Sequence, residues 1–171
     1  MPDRKAKFVL RVLLSCCALS AAAQHEVALP LNTPLEKEIA GREVHTYRTA
    51  LAAHQFARVI VAPVGFEGVD TLVRVVAPDG KPILEVRHLG DTARPKRVLW
   101  IAETTGEYKL EVVGNGETNL RGRYQLQADE PRLADDVARQ HVAAARAFAA
   151  ADQLHMQRSA EALRQARAKY E

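Results

Sequence analysis

From Val27 to about Asp129 apolar and polar side chains alternate in short runs, broken by turn residues every eight to twelve positions. A period of two over runs of this length marks half-buried antiparallel strands in a sandwich or barrel. The runs predict eight strands, near 35–39, 43–51, 55–62, 69–76, 82–87, 97–102, 107–113 and 122–128. In Val69-Asp70-Thr71-Leu72-Val73-Arg74-Val75-Val76 and in Tyr108-Lys109-Leu110-Glu111-Val112 the apolar side chains would face one way and the polar ones the other. Ala40-Gly41-Arg42, Gly65-Phe66-Glu67-Gly68, Ala77-Pro78-Asp79-Gly80 and Gly114-Asn115-Gly116 supply the turns. In the third of these, proline presets φ and glycine takes the left-handed position that closes a hairpin.

The period changes at Glu130-Pro131, after which alanine, arginine and glutamine replace the β-branched residues. Pro131 suits a first helical turn, and Leu133, Val137, Ala144, Phe148 and Ala151 recur at spacings that keep one side of a helix apolar. A break near His155-Met156-Gln157-Arg158 precedes Ser159, a candidate N-cap, and a second amphipathic stretch with Ala160, Leu163, Ala166 and Tyr170. The chain stops at Glu171 while that pattern is still running, which reads as a truncation; a helical hairpin folded back on the sandwich is the alternative. The expected organisation is therefore a segment 1–23, a β-sandwich over 24–129 and a helical segment over 130–171.

Residues 1–23 have the three parts of a secretory signal: the basic head Arg4, Lys5, Lys7 and Arg11, an apolar run from Val12 to Ala23, and the small residues Ala21-Ala22-Ala23 before Gln24. The run is shorter than the roughly 20 residues that span a bilayer. A retained anchor is the alternative, and Leu13-Leu14-Ser15-Cys16 loosely resembles a lipoprotein box. This segment also locates the charge. Of 24 basic and 21 acidic side chains it holds those four and Asp3, so 20 of each sign remain after it. The net charge of +3 thus says nothing for a nucleic-acid partner. Both cysteines, Cys16 and Cys17, lie within the segment, so a processed, exported product, periplasmic or extracellular, would rely on its core rather than on disulfides.

The residues resemble an arrangement in exported bacterial proteins, in which a sandwich of the pre-peptidase C-terminal type precedes tetratricopeptide repeats and, often, a CHAT peptidase domain. The sandwich part rests on Gly41-Arg42-Glu43-Val44-His45-Thr46-Tyr47, on Val69-Asp70 leading to Pro78-Asp79-Gly80, and on two copies of Gly-x-Tyr-x-Leu, Gly106 to Leu110 and Gly122 to Leu126. His54-Gln55-Phe56 stands where the family has glycine-glutamine in a turn. The helical part rests on Arg132-Leu133-Ala134 through Leu154 and on Ser159-Ala160-Glu161-Ala162-Leu163-Arg164-Gln165-Ala166. The resemblance implies a mainly β fold with C-terminal α: a jelly-roll-like antiparallel sandwich of about eight strands, then two helices that begin a repeat array.

Catalytic chemistry finds little support. After residue 23 the chain has no cysteine and one serine, Ser159, with no glycine-flanked elbow around it, so no catalytic residues are assigned. The histidines at 25, 45, 54, 88, 141 and 155 include no pair at one-turn helical spacing, although His45 and His54 could approach on neighbouring strands; no metal ligands are assigned. Asp70 and Asp79 could in principle meet a calcium ion, but a turn aspartate bonding its own backbone is the simpler reading. Gly114-Asn115-Gly116 lacks the third glycine of a dinucleotide loop, so no cofactor is expected. Arg146 interrupts the alanine run 143–151 and argues against a membrane helix. Aromatic residues make up 5% of the chain and Trp100 reads as an inner residue, which weakens carbohydrate binding. What remains is a non-catalytic exported binding or scaffold module, meeting a protein or peptide through its helical segment, or the accessory region of a larger secreted CHAT-type peptidase.

Overall fold

Ten strands and one helix follow from these patterns in the computed structural model, which describes residues 26–65, 69–87 and 94–151. The strands are β1 (Glu26–Ala28), β2 (Leu35–Ala40), β3 (Val44–Leu51), β4 (Gln55–Val64), β5 (Asp70–Val76), β6 (Pro82–Val86), β7 (Lys96–Ile101), β8 (Gly106–Asn115), β9 (Arg121–Ala128) and β10 (Arg132–Leu133). Helix α1 is described over 136–151. The eight runs expected from alternation coincide with β2 to β9. The two strands without a counterpart, β1 and β10, are three and two residues long, too short to show a period.

Two five-stranded sheets result. The first has the order β1-β3-β8-β5-β6, antiparallel except for the parallel β1–β3 pair. In the second, β4 lies between β7, which pairs with it from Phe56 to Val61, and β9, which pairs with it from Val59 to Val64. β2 pairs with the far side of β9, and β10 extends the β9 side of β4 at Gln55 and Phe56. Side chains alternate strictly in β9, where Gly122, Tyr124, Leu126 and Ala128 are buried and Arg121, Arg123, Gln125 and Gln127 are exposed. The inner faces of both sheets meet in one core. Tyr47, Val73, Val75, Tyr108, Leu110 and Val112 come from the first sheet, and Val59, Val61, Val98, Trp100, Tyr124 and Leu126 from the second.

Turn chemistry sets the register. Gly80, at φ 82°, follows Pro78-Asp79 and donates its N–H to the Ala77 carbonyl, while the Asp79 carboxylate accepts the Lys81 N–H at 3.1 Å. His54, at φ 69°, occupies the left-handed region in the β3–β4 turn, and its N–H donates to the Ala102 carbonyl at 2.7 Å. The turn thus holds a side chain in a backbone region that disfavours it. Gly41 and Gly114 are fixed by close approach: a Cβ on Gly41 would lie 2.0 Å from the Glu117 carbonyl oxygen, and one on Gly114 2.0 Å from that of Ala40.

The expected fold class needs correction. The sandwich has two five-stranded sheets rather than about eight jelly-roll strands, and among the described residues one helix stands where two repeat-like helices were expected. The stretch assigned to the second helix, with Ser159, Leu163 and Tyr170, lies outside the described residues, as do residues 1–23. The physical reason shows in α1. Its buried side chains Ala138 and Val142, with Ala134 before them, pack on Phe56, Leu99 and Ile101 of the second sheet, so the sandwich, not a following helix, is their partner. Pro131 does not open the helix either. Asp135 does, accepting the Ala138 N–H on its Oδ1 at 2.7 Å, while β10 takes up the residues between.

Candidate functional site

The face of α1 is displaced by one residue from the sequence expectation. Ala138 and Val142 are buried and Ala145 and Ala149 half-buried, one stripe of small side chains against the sheet. Leu133, Val137, Ala144, Phe148 and Ala151, expected to form the packed side, all lie exposed, Leu133 at 72%, Val137 at 56% and Phe148 at 51%. The helix is thus apolar over two adjacent stripes and uses the smaller one to seat itself. Ala134 donates its N–H to the His54 carbonyl at 3.0 Å, tying the start of the segment to the β3–β4 turn.

Where α1 passes β7, a cleft of about 370 Å³ opens, lined by Val86, Arg94, Pro95, Arg97, Leu99, Ala145 and Phe148. Alternation along β7 creates its two-sided character. Lys96, Val98 and Trp100 point into the core, so Arg97, Leu99 and Ile101 point out toward the helix. The Arg94 guanidinium lies 5.9 Å from the centroid of the Phe148 ring, a cation–π contact on one wall. Leu99, Val86 and Ala145 make the apolar remainder. Among the described residues this lining holds no nucleophile and no general base; it offers guanidinium donors beside an apolar surface.

Two buried polar links hold the sheets beneath this face. The Tyr47 and Tyr124 hydroxyls meet at 2.6 Å across the core, and Tyr124 also meets His45 Nδ1 at 2.7 Å. His45 Nε2 lies 3.1 Å from the Glu43 carboxylate, whose other oxygen accepts the Ala40 N–H at 2.8 Å. Burial raises the pKa of both phenols; for Tyr124 the hydrogen bond to Tyr47 pushes the same way, whereas for Tyr47 it opposes the shift. The Ala40 N–H holds the Glu43 carboxyl below its ordinary value, with His45 adding to the effect. The second link is Lys96, 1% exposed, whose Nζ lies 3.3 Å from Asp70 Oδ1; Asp70 Oδ2 accepts from Asn115 at 3.4 Å.

These links decide the earlier candidates. His45 and His54 do not approach: His45 lies near the start of β3, His54 in the turn beyond its end, and the partner of His45 is Tyr124. Asp70 and Asp79 lie toward opposite ends of β5, the one engaged by Lys96 and Asn115, the other by the Lys81 N–H and its ammonium at 2.9 Å. Among the described residues no three histidine, cysteine, aspartate or glutamate side chains cluster as metal ligands. No described helix is long and apolar enough to cross a membrane. Sequence reasoning missed Arg94 and Arg97 as site residues and placed Phe148 in a packed interior. The only signal was their residue type, because the cleft arises where β7 and α1, distant in sequence, meet.

The fold and cleft define a two-sheet β-sandwich with a helix seated on the outer face of its second sheet. Similar solved structures include the pre-peptidase C-terminal domain of a Bacillus anthracis collagenase, with a TM-score of 0.49 and 16% identity over 62% of this chain and 96% of that one. Aeromonas hydrophila PliG, a periplasmic inhibitor of g-type lysozyme, is similar with a TM-score of 0.45 and 16% identity over 63% of this chain and 96% of its own. Salmonella Typhimurium PliG follows with 0.42 and 16% over 63% and 98%. No protein-family model and no curated protein matches the chain.

Proposed function

We propose that this protein is an exported, non-catalytic binding module that presents α1 and its cleft to a protein or peptide partner. One observation carries the reading: α1 is anchored through Ala138 and Val142, while its Val137 and Phe148, and Leu133 of β10 just before it, face solvent. Large apolar side chains grouped on one helix face and flanked by arginines are what protein-binding surfaces collect. The rigid sandwich beneath, tied by the Tyr47–Tyr124–His45 and Lys96–Asp70 links, would keep that face in place without ordering cost on binding. Export rests on the signal-like segment 1–23.

Two measurements test the reading. Fractionation of cells producing the full chain should find a product that begins near Gln24 outside the cytoplasm; an unprocessed cytosolic product would contradict export. A photo-crosslinking residue at position 137 or 148 should join the module to a discrete protein in those cells, whereas one at Gln125, exposed on β9, should not. Equal labelling from both places, or none from α1, would remove the helix as the binding face.

A further inference from the structure

We infer that the cleft between α1 and β7 takes an acidic peptide segment, its carboxylates on Arg94 and Arg97 and an apolar side chain against Phe148 and Leu99. This rests on the binding-module reading and adds the chemistry of the partner.

The charge pattern points to it. Other arginines on α1 and the strands are matched by carboxylates of the chain itself: Arg87 by Glu85 at 3.4 Å, Arg146 by Glu103 at 3.9 Å, Arg139 by Asp136 at 3.6 Å and Arg132 by Asp135 at 2.9 Å. Arg94 and Arg97 line the cleft, are exposed, and have no ion-pair partner among the described residues. Between them Lys96 turns the other way, into the sandwich, where Asp70 neutralises it. Among the described residues the cleft therefore faces outward with two cations that no ion pair neutralises and no lining carboxylate.

The shape narrows the ligand. A guanidinium held against an aromatic ring keeps N–H groups free for a carboxylate, so the Arg94–Phe148 contact at 5.9 Å positions Arg94 for such a ligand. About 370 Å³ is room for a short stretch of peptide, and Phe148, Leu99, Val86 and Ala145 give one of its side chains an apolar wall. The exposed Val137 and Ala144 continue the same helix face, so a bound segment has somewhere to run. Nucleic acid would use the two arginines but leave the apolar half without a role.

Panning random-sequence displayed peptides against the full chain tests this. Acidic residues flanking an aromatic or leucine should be enriched. A synthetic peptide of that consensus should bind roughly tenfold more weakly to Arg97→Glu and to Arg94→Glu, and also weaken with added salt. Arg121→Glu, on the exposed face of β9, should bind it unchanged, and all three variants should keep the wild-type circular dichroism spectrum. No enrichment, enrichment of neutral or basic peptides, displacement of the peptide by a single-stranded oligonucleotide at equal concentration, or binding indifferent to both cleft substitutions would overturn the inference. If enriched peptides ignore the arginines but lose binding to Val137→Asp, the acidic-ligand inference fails while the module reading stands.

Discussion

The interior between the sheets and the outer face under α1 are built on opposite terms. Between the sheets, Trp100, Tyr108 and Tyr124 are essentially without exposed surface, and Tyr47, Tyr124, His45 and Glu43 join hydroxyl to hydroxyl to ring to carboxylate. Under the helix, Ala134, Ala138 and Val142 do the packing, and the largest apolar side chain of α1, Phe148, stays half in water. Aromatic burial around the Tyr47–Tyr124–His45 hydrogen bonds gives stability and a single arrangement, although the buried Trp100 Nε1 has no hydrogen-bond partner. A seam of small residues holds a helix at little depth and leaves its larger side chains free for something else. The difference locates stability in one region and binding in the other.

The sharpest way to break this comparison is to truncate one large side chain in each region. Tyr108→Ala or Tyr124→Ala should cost about 3–5 kcal/mol in denaturant unfolding, since each leaves a cavity in a closed core. Phe148→Ala should stay within about 0.5 kcal/mol of wild type. Comparable losses in both would mean that the helix face is part of the core after all.

Next in size is the Lys96–Asp70 link, which should respond asymmetrically. Asp70→Ala strands a buried ammonium and is expected to cost about 3 kcal/mol, whereas Lys96→Met, which removes the charge and keeps the bulk, should be near neutral or stabilising. Equal losses from both variants would show that the pair itself, rather than the buried charge, sets the energy.

Tyr124→Phe should cost about 1–3 kcal/mol, because the Tyr47 hydroxyl and His45 Nδ1 both lose a partner. The same link predicts the alkaline limit. Both phenols hold their protons more tightly in the folded chain than at the ordinary value of 10.0, so their contribution is complete below that pH and is lost as pH rises beyond it. Tyrosinate absorbance from these two residues should therefore appear together with unfolding. Glu43 acts in the opposite direction: its pKa is lowered from 4.5, so its contribution is present above that pH and fades as pH falls through the lowered value.

The smallest effect is at His54. Replacing a left-handed histidine by glycine relieves backbone strain but loosens the unfolded chain, so His54→Gly should raise stability by no more than about 1 kcal/mol. A clear loss would mean that the imidazole makes a contact worth more than the strain.

Alternation made eight strands legible; it is clearest in β8 and β9, which bury every second side chain against the same core, whereas β2 buries Ile39 alone. β1 and β10 were not, since their place depends on partners, Thr46 to Arg48 for one and Gln55-Phe56 for the other. The helix was legible in kind and not in face. Leu133 and Phe148 are the larger apolar residues and drew the prediction to their side, but the outer face of the sheet, with Phe56, Leu99 and Ile101, packs against Ala138 and Val142. The same limit hid the cleft. Arg94 and Arg97 read as ordinary surface charge until β7 and α1 are seen together, and the partner of His45, Tyr124, comes from the other sheet.

The most direct measurement is thiol labelling of single cysteines on α1, in a chain carrying Cys16→Ser and Cys17→Ser. Val137→Cys should react as fast as an unfolded thiol, and Ala138→Cys at least roughly tenfold more slowly, limited by opening of the helix from the sheet. Rapid reaction at 138 with protection at 137 would turn the helix over, and with it the surface assigned to binding.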